Sequence, residues 1–295
     1  MSRRGRRIVA WLTVAAVSAG LLIGGGVWLG NTLRDAFAPG LSLGCTATVG
    51  ETGYTLALDQ SQNAALISAV AMHRGMPARA ASIALATALQ ESKLRNIDYG
   101  DLDSVGLFQQ RPSQDWGTVE QIMDPLYSTN AFYDVLAKVP DYVHLPINDA
   151  AQIVQRSGYP HAYAQHETLS RAFASAMTGQ TPQGLNCTLP PATPTSTPEA
   201  MSAAMDAVLG PVPFSTTAGE GSVSVRLEVA DAAGWTTAHW LLANAEQFGI
   251  CQISYAGKMW DRGANEGEHN VGWQDASAAV PGQLTVIMAA APPGS

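Results

Sequence analysis

Charge is scarce in this chain, and basic charge scarcest of all. Charged residues make up 14% of the 295 positions and the net charge is -8. Beyond the first few residues, Lys and Arg are too thinly spread to form a phosphate-binding stripe, which excludes nucleic acid as a partner. Cysteine is equally rare. Cys45, Cys187 and Cys251 fall at no metal-type spacing with histidine, so neither a metal nor a cofactor is expected. No internal repeat is visible, which sets aside solenoids and propellers.

Apolar material is abundant, at 46% of the chain. That suffices for real cores, and the length suits about two domains. Part of the apolar content is gathered near the N-terminus. Arg3, Arg4, Arg6 and Arg7 precede an uncharged run from Ile8 to Gly30. A helix spans a bilayer with ~20 apolar residues, and a positive flank stays cytoplasmic. We therefore expect a signal anchor. A basic tip over 1–7 would lie in the cytoplasm, a transmembrane helix over 8–30 in the cell membrane, and the remainder outside. A cleaved signal peptide is the alternative. Ala36-Phe37-Ala38 offers a small-x-small site, but Pro39 follows it directly, and the length of the run favours the uncleaved anchor. Export permits a disulfide. Cys45 and Cys187 bracket one candidate domain and are the candidate pair, against the alternative of three unrelated thiols. Cys251, within Gly249-Ile250-Cys251-Gln252-Ile253, reads as a small buried core residue.

After a juxtamembrane stretch over 31–53, residues 54–187 carry apolar residues at helical spacing. The segments are Gln60–Arg74, Arg79–Arg95, Ser128–Val139, Ala150–Ser157 and His166–Thr178. No strand alternates convincingly there, so an all-α domain is expected. Residues 188–221 form a Pro/Thr linker with a short helix over Pro198–Leu209. Residues 222–290 change character. Strands are predicted at Val223–Val229, Ile250–Tyr255 and Gln283–Ala289. A helix is predicted at Thr236–Phe248, with Thr236 as N-cap and Gly249 at its C-terminal end. The expected fold class is thus multi-domain: a transmembrane helix, an all-α domain and a small α/β domain.

The chemistry gathers around Glu91. It lies three residues past Ala88 and seven past Ala84, at the edge of the apolar stripe of its helix. It also lies near the helix C-terminus. Partial burial and the negative end of the helix dipole both disfavour a charged carboxylate. The expected result is a raised pKa, as a general acid working near neutral pH needs. An ordinary helical Glu paired with a nearby base is the plain alternative.

The segment from Glu91 to Pro112 carries a resemblance. Glu91-Ser92, then Ser104-Val105-Gly106-Leu107-Phe108-Gln109, then Pro112 resembles the first two motifs of the lytic transglycosylase and goose-type lysozyme families. The resemblance covers about Leu56 to Thr178 and makes 54–187 a lysozyme-like domain acting on peptidoglycan. It implies Glu91 as the catalytic acid and base, steadied by Ser92. It also implies Gln109 as a sugar contact, with Ser104, Gly106 and Phe108 lining the cleft. The family's third motif, Ala-Tyr-Asn, has its nearest match at Ala162-Tyr163-Ala164, where Ala164 replaces Asn. Tyr163 is then either a substrate-side residue or a core aromatic, and the domain either an enzyme or a binding-only scaffold of the cell envelope. Asp98, Asp101 and Asp103 could supply a second carboxylate for hydrolysis, or simply form a solvated turn. Phe108, Trp116 and Tyr127 suit sugar stacking or core packing equally.

Residues 222–290 are similar to a small accessory domain at the C-terminus of secreted actinobacterial proteins. The matching residues run from Gly234-Trp235 through Trp260 to Gly272-Trp273. Position and aromatic content suggest that it binds a wall component or an envelope protein. His239 and His269 read as surface or helix residues, and no metal is expected.

Overall fold

The computed structural model describes residues 43–290, apart from 158, 160, 230, 267–269, 277–279 and the side chains of 231 and 232. The chain divides into two units, Met1–Ser42 and Leu43–Ser295. The expected span over 8–30 lies outside the described residues. Among the described residues, no helix is long and apolar enough to cross a membrane.

The region expected to be all-α contains a sheet. Gly44–Val49 (β1) and Thr52–Leu56 (β2) form a hairpin, turning at Gly50 with a φ of +59° that glycine adopts without strain. Leu185–Thr188 (β3) returns from the far end of the region and pairs antiparallel with β1, giving the order β2-β1-β3. These strands escape a sequence reading for a physical reason. They have six, five and four residues, too few for a period-two pattern to stand out. Two of them begin inside the stretch taken as juxtamembrane. Cys45 faces Cys187 in the β1–β3 register, and the two form a disulfide.

Among the described residues, five helices of this region follow the apolar periodicity, and the four-residue helix Val119–Ile122 lies outside the expected segments. In chain order the six are Leu58–His73 (α1), Ala78–Ser92 (α2), Val119–Ile122 (α3), Pro125–Leu136 (α4), Ile147–Gln155 (α5) and Glu167–Met177 (α6). Local chemistry sets several of their starts. Thr118 and Gln121 make a reciprocal capping box on α3, and Asp124 accepts from the Leu126 N–H at the start of α4, with Pro125 in the first turn. Helix α2 is the axis of the bundle. It packs against α6, α1, α5 and α4 and is buried from Ala80 to Leu89. Its alanines, at 80, 81, 84, 86 and 88, leave room for neighbouring helices to approach on every side. A helix buried all round emerges only at its ends, and Glu91 stands at one of them.

After β3 the chain runs extended to a helix at Pro198–Leu209 (α7), capped by the Thr197 hydroxyl. The extended stretch is held at several points. Leu189 is buried, the Thr195 hydroxyl donates to the Gln247 carbonyl, and Arg262 donates to the Pro190 carbonyl. Then come Phe214–Gly219 (β4), Ser222–Glu228 (β5), Asp231–Ala243 (α8), Ile250–Tyr255 (β6), Lys258–Asp261 (β7), Gln274–Asp275 (β8) and Gln283–Ala289 (β9). The six strands form one antiparallel sheet in the order β4-β5-β9-β6-β7-β8. Both β6 and β9 have the bounds read from the sequence.

Helix α8 lies between this sheet and the helical region, packing on β6 and also on α1, α6 and β3. Its start differs from the expected one. The helix begins at Asp231, so Thr236 is a buried interior residue rather than an N-cap, and His239 is a helix residue, one of its two expected settings, and fully buried. Apolar surface on two sides hides the start that an amphipathic pattern would mark. Cys251 is half-buried at a β-bulge between Ile250 and Gln252, not a core residue. His269 lies outside the described residues.

Candidate active site

Glu91 is the penultimate residue of α2. The helix ends at Lys93, whose φ of 56° turns the chain out of the helix, and Leu94 follows in the same left-handed region with its side chain fully buried. The strain of two consecutive non-glycine residues there is held by the Leu94 side chain and by backbone hydrogen bonds to Leu89 and Ala88. Asn63 clamps the turn from α1 by donating to the Leu94 carbonyl at 2.8 Å. The end of α2 is therefore fixed, and with it the position of the Glu91 carboxylate.

That carboxylate is half-buried, not in open solvent. Burial raises its pKa from the ordinary 4.5, and two hydrogen bonds pull the other way, from Tyr163 and Gln155. The Tyr163 hydroxyl donates to Glu91 Oε1 at 2.7 Å. Tyr163 thus answers both readings of the sequence at once. Its ring is wholly buried in the core while its hydroxyl reaches the candidate acid. Burial first, and then the adjacent Glu91 charge, push the phenol pKa far up, so Tyr163 serves as a donor and not as a proton source.

The second motif is tied to the same helix end. Ser92 Oγ donates to the Leu107 carbonyl at 2.7 Å. A short bridge between Val105 and Gln110 closes the turn that carries Gly106, Leu107, Phe108 and Gln109. Gly106 has a φ of +80°, and a Cβ there would lie 2.8 Å from the Ile122 carbonyl oxygen, so both conformation and space demand glycine. Gln109 also has a positive φ, and its amide donates to the Tyr99 and Gly106 carbonyls. Ser104 is buried beside it.

Phe108 is different. It is fully buried and stacks on Phe132 with ring centroids 4.7 Å apart, so it holds the turn to the core and does not line a cleft. The aspartates separate as well. Asp98 and Asp101 are exposed. Asp103 accepts from Arg111 Nε at 2.6 Å and from the Ser113 N–H at 2.8 Å, and these bonds hold its carboxyl far below the usual range. It is a loop clamp. Trp116 is partly buried and borders a cavity of about 480 Å³ shared with Gln155 and Arg156, while Tyr127 lies against Gly117. Among the described residues, no group of three His, Cys, Asp or Glu side chains could hold a metal ion.

Gln155 has no counterpart in the motifs. It is the last residue of α5, far from Glu91 in sequence, and only its amide chemistry marks it. Gln90 lies outside the motifs too, and its Oε1 accepts from Gln165 and approaches His166 Nε2, both at 3.0 Å. A scan against models of known protein families and a search of curated protein sequences found no match to this chain.

Proposed function

We propose that residues 54–187 cleave the glycan strands of peptidoglycan, with Glu91 as general acid and base. The observation that carries this is the half-buried carboxylate at the end of α2, with its pKa raised by burial and the Tyr163 hydroxyl 2.7 Å away. A raised pKa favours the protonated acid that proton donation requires, and the fixed helix end holds the carboxyl in one place.

In this mechanism Glu91 protonates the glycosidic oxygen between MurNAc and GlcNAc. The substrate's own N-acetyl group stabilises the developing cation. The Glu91 carboxylate, now a base, takes the proton of the MurNAc 6-hydroxyl as that oxygen attacks the anomeric carbon. A 1,6-anhydro product forms and no water is consumed. The Tyr163 hydroxyl stabilises the carboxylate between the two proton transfers. The clamp of Asp103 by Arg111 and Ser113 favours this route over hydrolysis with Asp103 as the second carboxylate. The reaction requires export, which the Arg3–Arg7 cluster and the Ile8–Gly30 run would provide by anchoring the chain in the cell membrane.

The substitution of Ala164 for the motif's Asn favours a second reading, a wall-binding scaffold of the envelope that keeps the shape without the chemistry. Mass analysis of sacculi digested by the wild type and by Glu91→Gln separates the two. Anhydro-ended fragments lost in the variant support the transglycosylase, reducing ends support hydrolysis, and intact sacculi that retain the protein support the scaffold.

A further inference from the structure

Gln90, the residue before the candidate acid, is bound by the same stretch of chain that carries Tyr163. A short 3₁₀ turn, Ala164–His166, follows Tyr163 directly. Gln165 Nε2 and His166 Nε2 both lie 3.0 Å from Gln90 Oε1. Chemistry fixes the direction of both bonds. Gln165 Nε2 also lies 3.2 Å from the Ala162 carbonyl, and a carbonyl only accepts, so this end of the Gln165 amide is the nitrogen. Its two hydrogens serve the two acceptors. The Gln90 atom facing it must then be the oxygen, and His166 Nε2, meeting the same oxygen, must carry a hydrogen. Burial lowers the His166 pKa from 6.5, so at neutral pH the ring is the neutral Nε2–H tautomer.

We infer that Gln90 and His166 are positioning residues, which with Gln165 clasp the turn after Tyr163 to α2 and so set the Tyr163 hydroxyl on the Glu91 carboxylate. The catalytic consequence rests on the glycan-cleaving role proposed above, but the placing of the hydroxyl does not. Two neighbouring residues of α2 grip one turn at two points. Gln90 holds its Gln165–His166 end, and Glu91 accepts from the Tyr163 hydroxyl at 2.7 Å. The backbone between these points is held as well. The Tyr163 N–H donates to Asn148 Oδ1 at 3.3 Å, and the Tyr163 carbonyl accepts from the His166 N–H at 3.1 Å. Ser170 on α6 donates to the His166 carbonyl at 2.7 Å. Ala164, which stands where the third motif has Asn, is exposed and has no polar side-chain atom. The two residues after it therefore do the holding. A hydrogen bond to the charged carboxylate favours the charged form, so a clasp that keeps the hydroxyl in place also tempers the rise that burial imposes on Glu91.

The test uses the full-length protein in detergent, with carbon-13 at the glutamate carboxyl positions and the Glu91 signal assigned by its loss in Glu91→Gln. Gln90→Met keeps the length of the side chain and removes the acceptor. The Glu91 titration is expected to move up by about half a pH unit, because a loosened hydroxyl favours the charged form less. In a Tyr163→Phe background the same substitution should move it no further, since the clasp acts through a hydroxyl that is already gone. A merely structural glutamine would lower stability without that dependence. In sacculus digestion, Gln90→Met should lower kcat about threefold to tenfold with KM nearly unchanged, because the loss is of orientation and not of sugar contact. Nitrogen-15 correlation spectra should show the neutral His166 ring as the Nε2–H tautomer. Should Gln90→Met fail to fold, as judged by near-ultraviolet circular dichroism, His166→Phe takes its place in the same cycle, and His166→Gln, which keeps a donor, should restore the wild-type titration. A folded variant with an unchanged Glu91 titration, an equal shift in both backgrounds, or a neutral His166 protonated at Nδ1 overturns the clasp. If the wild type digests no sacculi, the glycan-cleaving role fails by itself, and the carboxyl titration still decides the role of Gln90.

Discussion

The Tyr163 hydroxyl donates a 2.7 Å hydrogen bond to Glu91 across 72 residues of sequence. It joins the end of one buried helix to a ring packed in the core of the bundle. Removing only the oxygen tests what the bond does. Tyr163→Phe preserves the buried ring and deletes one donor to the carboxylate. The Glu91 pKa should then rise further, because a donor that favoured the charged form is gone. Sacculus digestion is expected to fall roughly tenfold or more, with its alkaline limb moved to higher pH. An unshifted limb with unchanged rate would remove Tyr163 from the site.

Glu91 also has a cost in stability, and its sign can be worked out. The folded-state pKa lies above the unfolded 4.5. Between those two values the folded chain binds more protons than the unfolded one. The benefit is complete below the unfolded value and is lost as pH rises through the folded value. Glu91→Gln removes the charge while leaving an acceptor for Tyr163. Its melting temperature should exceed that of the wild type by a few degrees at neutral pH, and the difference should vanish near pH ~4. Thermal melts across that range check it; a variant less stable at neutral pH would contradict the burial argument.

Cys45 and Cys187 close a loop of 142 residues through the paired strands β1 and β3. The chain-entropy model gives about 5 kcal/mol for a loop of this length, an upper figure. Reduction, or Cys45→Ser with Cys187→Ser, should lower the melting temperature by several degrees or more. The sheet should loosen first, and limited proteolysis would show cuts near β1 and β2 before cuts in α2. Melting that is indifferent to reductant would argue against the pairing.

His239 lies fully buried on α8, with Nδ1 2.6 Å from the Ala176 carbonyl and its ring beside Trp235 and Trp273. Burial lowers its pKa from 6.5 to about 4. Here the sign is the reverse of that for Glu91. The stability conferred by neutral His239 is full above pH 6.5 and is lost as pH falls towards 4, to a total of at most about 3 kcal/mol. His239→Gln can keep the bond to Ala176 without a group that titrates. Its stability should decline less steeply between those two pH values, as read from denaturant melts. An identical slope would place the acid sensitivity elsewhere.

The amino-acid sequence by itself determined the longer helices of the helical region, the existence of α7 and α8, three strands of the larger sheet and the placing of Glu91 at a helix end. Each rests on local periodicity, which neighbouring residues establish without help from the rest of the fold. Tertiary structure decided what required distant partners. The sheet β2-β1-β3 depends on a four-residue strand finding its place after more than a hundred residues of helix and loop. Phe108 became a core residue because Phe132 lies beneath it, and α8 became buried on two faces because the helical region covers the side turned away from the sheet. The hydroxyl of Tyr163 reaches the carboxylate only once the bundle is packed. A hydrogen bond between residues 72 apart leaves no periodic trace along the chain, since only the packing of α2 against its neighbours brings the two groups within reach.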